Sequence, residues 1–270
     1  MRKLQILIII SSVILCGCAS TGKIRSFNRE KDISRKKSVK TMSKTPIFFT
    51  GKRFTYAIAW NGIPVGKITA EIGDIKEYRG DDVYPVLLRT ESNKFLSKIY
   101  RVEDIYTSYI SATEMLSRRY EADRREGNYR KHVIVEYDYE GRKATYTNLT
   151  DGSVKYCEIK DNVQDPVSAM CYFMSLPVSL NDRINITVNL NEKNYDLYGK
   201  IESLDVVKLP GLGPSPAFRV RPYAVLDGKH VKKGRGYMYF GASKKRYPIY
   251  GVLWIPFGKV TATLRAVESM

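Results

Sequence analysis

His132 and His230 are the only side chains in this 270-residue chain whose ordinary pKa places them near neutrality. Two histidines cannot build a multi-histidine metal site, and no HExxH or CxxC spacing accompanies them. His132 lies in an alternating apolar run and His230 among lysines beside a turn, so both read as surface or strand-edge residues. The chain carries no GxSxG elbow and no GxxxxGK phosphate loop completed by Ser or Thr, since Gly17 to Lys23 runs into Ile24. Gly211-Leu212-Gly213 runs into Pro214 with no helix signal, which excludes a nucleotide fingerprint. Carboxylates are plentiful, for instance Glu103, Asp104, Glu136, Asp138 and Asp165. Nothing in the sequence brings two of them to the separation that glycoside hydrolysis requires. The expectation is a protein that is not an enzyme and holds neither cofactor nor metal.

Two other groups of residues suit binding. Met170, Phe173 and Met174 belong to a helical stripe able to adapt to apolar ligands. Lys229, His230, Lys232, Lys233 and Arg235 surround a glycine-bounded turn, and lysine point charges suit phosphate without fixed geometry. Of these, Met170, Phe173, Met174, Lys232, Lys233 and Arg235 form the expected ligand-binding set. Lys244, Lys245 and Arg246 make a second basic cluster one strand later. If the intervening strand runs antiparallel to its neighbours, the two clusters lie about 25 Å apart for eight residues. Solvated loop charge is the alternative for both.

The elements that must position these residues are mainly strands. Tyr56, Ile58 and Trp60 alternate with Thr55, Ala57 and Ala59; Asn61-Gly62 supplies a hairpin turn, and Ile68, Ala70 and Ile72 continue the pattern. Val133 to Tyr139, Lys143 to Leu149 and Val154 to Ile159 repeat the alternation, with turns at Glu140-Gly141 and Asp151-Gly152. Val252, Trp254, Val260, Ala262 and Leu264 close the series. The 20 tyrosines fit half-buried pleated surfaces. One segment differs: Asp165-Pro166 caps a predicted helix of about ten residues, with Val167, Met170, Cys171 and Met174 on one face and Pro177 as its stop. This helix either packs on the sheet or covers a β cavity as a lid. Pro210 to Pro216 reads as a loop or crossover. The fold class is mainly β: a large curved antiparallel sheet or incomplete barrel with one short helix, in a single domain over 49–270.

Residues 18–48 are polar and basic without apolar periodicity, and read as a flexible tether. Between Lys23 and Lys44 nine basic residues face only Glu30 and Asp32. Arg2, Lys3 and the apolar run Leu4 to Leu15 have the anatomy of an export signal, too short to span a bilayer core. Leu15-Cys16-Gly17-Cys18 resembles the lipobox of bacterial lipoproteins. That resemblance implies removal of residues 1–17, acylation of Cys18, and, through Ala19, the periplasmic side of the outer membrane. A net charge of +17 ordinarily suggests nucleic acid, but export leaves lipid phosphate, lipopolysaccharide and acidic envelope polymers as the available anions. Cys157 and Cys171 then remain in a compartment that permits disulfides. They form either a bridge closing a loop of about 15 residues, worth about 3 kcal/mol, or two buried thiols.

The body resembles the bacterial domain-of-unknown-function family 3108, whose members are exported and often lipoproteins. The resemblance rests on Phe54 to Gly66, Tyr100 to Ser108, the helix segment Asp161 to Pro177, and the closing hairpin Trp254 to Leu264. An arginine associated with the family near the end of the helix segment is absent here, where Met174-Ser175 stand. The resemblance implies fold and export and supplies no catalytic residues. The reading is a membrane-anchored envelope lipoprotein, a binding or transport-accessory module for lipid or lipopolysaccharide. The alternative is a structural or assembly protein that docks on another envelope component.

Overall fold

In a computed structural model, residues 50–231, 235–243 and 246–270 are described. The expected signal peptide, Cys18, the tether to residue 48, Lys232, Lys233, Lys244 and Lys245 lie outside the described residues.

Sixteen strands form one sheet. The first half comprises β1 (Lys52–Trp60), β2 (Ile63–Ile72), β3 (Lys76–Tyr78), β4 (Asp81–Ser92), β5 (Glu103–Ser111), β6 (Ser117–Glu126), β7 (Tyr129–Asp138) and β8 (Lys143–Asn148). The second comprises β9 (Val154–Glu158), β10 (Arg183–Leu190), β11 (Lys193–Leu209), β12 (Gly213–Leu226), β13 (Lys229–His230), β14 (Arg235–Gly241), β15 (Pro248–Ile255) and β16 (Gly258–Ser269). Two helices interrupt them: α1 (Lys94–Ser97) and α2 (Pro166–Ser175). Every ladder is antiparallel, in the order β10-β11-β12-β14-β15-β16-β1-β2-β4-β5-β6-β7-β8-β9, with β13 beside β12 and β3 beside β4.

The expected hairpin turn forms at Asn61-Gly62, where both residues take left-handed φ (50° and 87°). That geometry matches the right-handed twist of the flanking strands. The alternation read from the sequence becomes an inner face of Phe54, Tyr56 and Ile58 on β1, and of Ile68, Ala70 and Ile72 on β2.

No ladder joins the terminal strands β9 and β10, so the sheet curls without closing. Side chains hold the seam instead. Tyr146 Oη donates to Asn189 Oδ1 (2.5 Å), and Asn194 Nδ2 donates to the Glu158 carbonyl (2.7 Å). Two ion pairs, Lys155–Glu192 and Lys160–Asp196, add to them at 3.3 and 3.1 Å. The chain entering α2 also pairs across the seam: Gln164 N donates to Thr187 O, and Asn189 N to Gln164 O, each at 2.8 Å.

The predicted helix forms as α2, but as a wall inside the curl and not a cover outside it. Pro166, Val167, Ser168, Ala169, Cys171 and Phe173 are all buried. Val167 and Cys171 join the core cluster drawn mainly from β1, β2 and β4 to β8, with Leu209, Ala217, Ile249 and Leu264, while Ala169 and Phe173 join the cluster of β10, β11, β12 and β14. A helix apolar on both flanks cannot lie on a surface, which is why it goes inside. Asp165 caps it, accepting from Val167 N (2.6 Å) and Ser168 N (2.8 Å), while Ser168 Oγ accepts from Asp165 N (2.9 Å). Ser108 Oγ on β5 donates to the other carboxylate oxygen at 2.5 Å. At the far end the Arg246 guanidinium donates to the Leu176 carbonyl.

Asp165→Ala removes the cap and strands the Ser108 hydroxyl, and is expected to cost about 2–4 kcal/mol of unfolding free energy. Asp165→Asn, which keeps an acceptor, should cost less. A urea titration in which the alanine variant loses under ~0.5 kcal/mol would show that the cap does not hold the helix.

Candidate functional site

Between α2 and the concave face of the sheet lies an apolar cavity. It encloses about 1200 Å³ of unfilled space, its mouth included. One side is α2, through Val167, Met170, Cys171 and Met174. The opposite side is the inner face of β1, β2 and β4, ending in Val86 and Leu88. Tyr250, Val252, Leu253, Val260 and Ala262 of β15 and β16 complete the floor. Small residues make the room: Ala70, Ala262 and Gly251 occupy wall positions where larger side chains would fill the space.

The cavity also reaches the place where two strands part. Pairing between β12 and β14 runs only from Ala217–Gly241 to Val220–Met238; beyond it, Val225 and Leu226 pair with β13. Pro222, Gly236 and Tyr237 line the cavity there.

Among the described residues, no carboxylate, histidine, lysine or arginine lines this space. Its hydroxyls are already engaged where they matter most. Tyr56 Oη donates to the Pro248 carbonyl at 2.9 Å, and burial pushes its pKa well up. Tyr237 Oη accepts from Arg221 Nη2 at 2.9 Å. Burial also pushes the Cys171 thiol up to about 12, so it is protonated and a poor nucleophile. Such a wall can hold an apolar molecule and offers no group to activate one.

The sequence-predicted ligand set divides. Met170 and Met174 line the cavity. Phe173 points to the other flank of α2, its ring 4.4 Å from that of Phe240, and lines a smaller cavity with Ile186 and Val220. Arg235 is exposed, with its guanidinium 5.2 Å from the centre of the Trp254 ring. Of the second basic cluster, Arg246 serves the end of α2 rather than a surface patch.

Cys157 and Cys171 are free thiols in the structure, so the possible disulfide is not formed in it. Cys157 instead donates to the Glu192 carbonyl at 3.2 Å across the seam, while Cys171 is taken up in the helix core.

Among the acids, Glu103 pairs with Arg101, Glu136 with Arg79, and Asp138 accepts from Gly141 N. Asp104 and Glu126 are both buried, and Arg124 Nη2 lies 2.5 Å from Glu126. Asp104 accepts from Arg125 N (2.9 Å) and Tyr106 Oη (3.2 Å). Neither acid lines any of the three cavities of the described residues discussed here or at the seam. Sequence reasoning missed the sheet half of the cavity. The only signal available for it was alanine or glycine at inward positions of otherwise large-residue strands.

The curled, incompletely closed sheet around an internal helix defines a β-barrel-like protein with an apolar interior. The chain belongs to the family described as Protein of unknown function (DUF3108), whose model matches residues 55–265. No curated protein matches it. A β-barrel-like protein of the domain of unknown function DUF1849 from Brucella abortus shares the fold. Its TM-score is 0.57 at 9% identity, over 82% of this chain and 98% of that one. A candidate exported protein with a YmcC-like fold from Bacteroides fragilis reaches a TM-score of 0.33 at 10% identity, over 83% and 100% of the two chains. A candidate lipoprotein from Parabacteroides distasonis reaches 0.37 at 7%, over 84% and 100%. Scores that low carry no argument about this chain.

Two predictions follow from the buried titratable groups. Maleimide labelling read by peptide mass spectrometry should modify Cys157 in the native chain at least about ten-fold faster than Cys171, and both after unfolding. A Cys157–Cys171 disulfide peptide would contradict this. Burial pushes the Glu126 carboxyl above its ordinary range; Arg124 pulls it down, and Asp104 adds to the rise. The folded chain then keeps a proton that the unfolded chain has released, so stability falls as pH rises from the ordinary Glu range towards the raised value. Glu126→Gln should flatten that part of the curve of urea midpoint against pH. An unchanged slope would show that Glu126 is not its source.

Proposed function

We propose that this protein is an exported, membrane-anchored envelope protein that binds the acyl chain of a lipid or lipopolysaccharide without catalysing its conversion. The observation that carries this reading is the cavity wall, which is continuous, apolar and, among the described residues, free of any acid, base or cation. Met170, Met174 and Met238 line it, and unbranched thioethers adjust to chains of differing length and unsaturation. The Cys18 anchor and the outer-membrane address belong to the same proposal, supported by the signal-like residues 1–18 and the family's exported habit. Access is assigned to the parting of β12 and β14, where Gly236 and Pro222 leave the sheet unpaired.

The test uses the full chain exchanged into amphipol, with cis-parinaric acid as the probe. Native mass spectrometry should show a lipid-sized adduct. Ala70→Leu combined with Ala262→Phe should weaken probe binding at least ten-fold, about 1.4 kcal/mol, with the melting temperature unchanged or raised. Wild-type protein that binds no probe, or a filled variant that binds as well as wild type, would overturn the reading. Either result would favour the docking alternative.

A further inference from the structure

At the end of the sheet where β1 turns into β2, three connections stand side by side. Asn61 N donates to Lys259 O (2.8 Å), Lys259 N donates to Asn61 Oδ1 (2.7 Å), and Trp60 Nε1 donates to Phe257 O (3.2 Å). These bonds join the β1–β2 turn to the β15–β16 turn. Gly258 is needed for that approach, since a Cβ there would meet the Asn61 side chain at 2.3 Å. Asn93, the cap of α1, ties the third connection to β2 through Val65 O (2.8 Å) and Pro64 O (2.7 Å).

From these linked connections project large, exposed apolar side chains. Ile63, Phe95, Ile99 and Phe257 are 58, 66, 71 and 53% exposed, and Trp254 beside them is 36% exposed. Singly, exposed apolar residues mean little; gathered at one end they mark an interaction site. Lys94, Lys98 and Lys259 surround them, all exposed and without an acidic partner among the described residues. The nearby acids Glu91 and Glu103 are already paired, with Lys67 and Arg101.

We propose that this end of the barrel docks on the surface of an anionic lipid bilayer. Tips of separate turns insert at the boundary of headgroups and acyl chains, and the exposed Lys94, Lys98 and Lys259 meet lipid phosphate. Charge complementarity favours an anionic bilayer over a protein partner, because these lysines sit on the same connections as the apolar tips while the acids beside them are already paired. The contact is separate from the expected anchor. The chain enters the domain at Lys52, at the other end of β1, about 30 Å away for nine extended residues. Docking stands on this surface alone and holds whether or not the cavity takes lipid. Its consequence for the cavity is position: Ile58, Ile68, Leu253 and Val260 line the cavity directly beneath these connections.

The test uses the full chain, whose two tryptophans, Trp60 and Trp254, both stand at this end of the sheet, in vesicles containing dibrominated phosphatidylcholine. With phosphatidylglycerol present, tryptophan fluorescence is expected to be quenched, and high salt should weaken the quenching. Adding Phe95→Asp and Ile99→Asp, both at exposed positions, should abolish it while circular dichroism stays unchanged. No quenching, or quenching that survives the two aspartates, overturns the proposal. Equal quenching in phosphatidylcholine alone overturns the role of the lysines. Unquenched tryptophans together with crosslinking through Lys94 or Lys98 to one envelope protein would assign the surface to a protein partner.

Discussion

The Asp165 carboxylate, sealed from water between two helix amides and the Ser108 hydroxyl, is the contact on which the interior is organised. A lone buried carboxylate is costly, and burial does push its pKa above the ordinary aspartate range. Hydrogen bonds from Ser108 and from the first turn of α2 offset that cost, and they form only when helix and sheet adopt one relative position. The same residue thus starts the helix and fixes it to β5. With α2 placed, Phe173 is directed against Phe240, and Met170 and Met174 against the inner face of β1 and β2. The cavity is what remains where the sheet stands back from the helix.

A second constraint is that the sheet encloses its core without closing. Closing a barrel by a ladder fixes strand tilt and stagger together. Here the seam between β9 and β10 is bridged by Tyr146, Asn189, Asn194 and two lysine–carboxylate pairs. Side chains tolerate a mismatch of stagger that backbone hydrogen bonds do not. They also cover two strand edges that would otherwise invite pairing with another chain. The segment leading into α2 lies in this seam through Gln164, so sheet closure and helix placement are secured by adjoining residues.

Much of this was legible locally. Asn61-Gly62 announced its hairpin because both positions need left-handed φ, and Asp165-Pro166 announced the helix because a cap and a first-turn proline leave few other structures. The alternation of Phe54 to Trp60 and of Ile68 to Ile72 fixed which residues face inward. What stayed hidden depends on distant strands. That Arg246 serves the Leu176 carbonyl, 70 positions away in sequence, cannot be read from a run of basic residues. Phe173 shares a helix and a core cluster with Met170 and Met174, yet it lines only the smaller cavity, because the sheet surrounds α2 on both flanks. The four-residue helix α1 was missed because only its Asn93 cap, without an apolar period, marks it.

The kinship with a β-barrel-like fold at 9% identity shows how little the architecture dictates its contents. Function must then be argued from the wall itself. Three of the chain's seven methionines line the cavity, and its half-buried Tyr56 spends its hydroxyl on the Pro248 carbonyl. A wall that satisfies its own polar groups makes no directional demand on a guest. It discriminates by shape and by the removal of apolar surface from water, about 25 cal/mol for each Å². The cations lie elsewhere, exposed at Lys94, Lys98 and Lys259 around the end of the sheet. Apolar surface inside and positive charge outside are thereby separated in space.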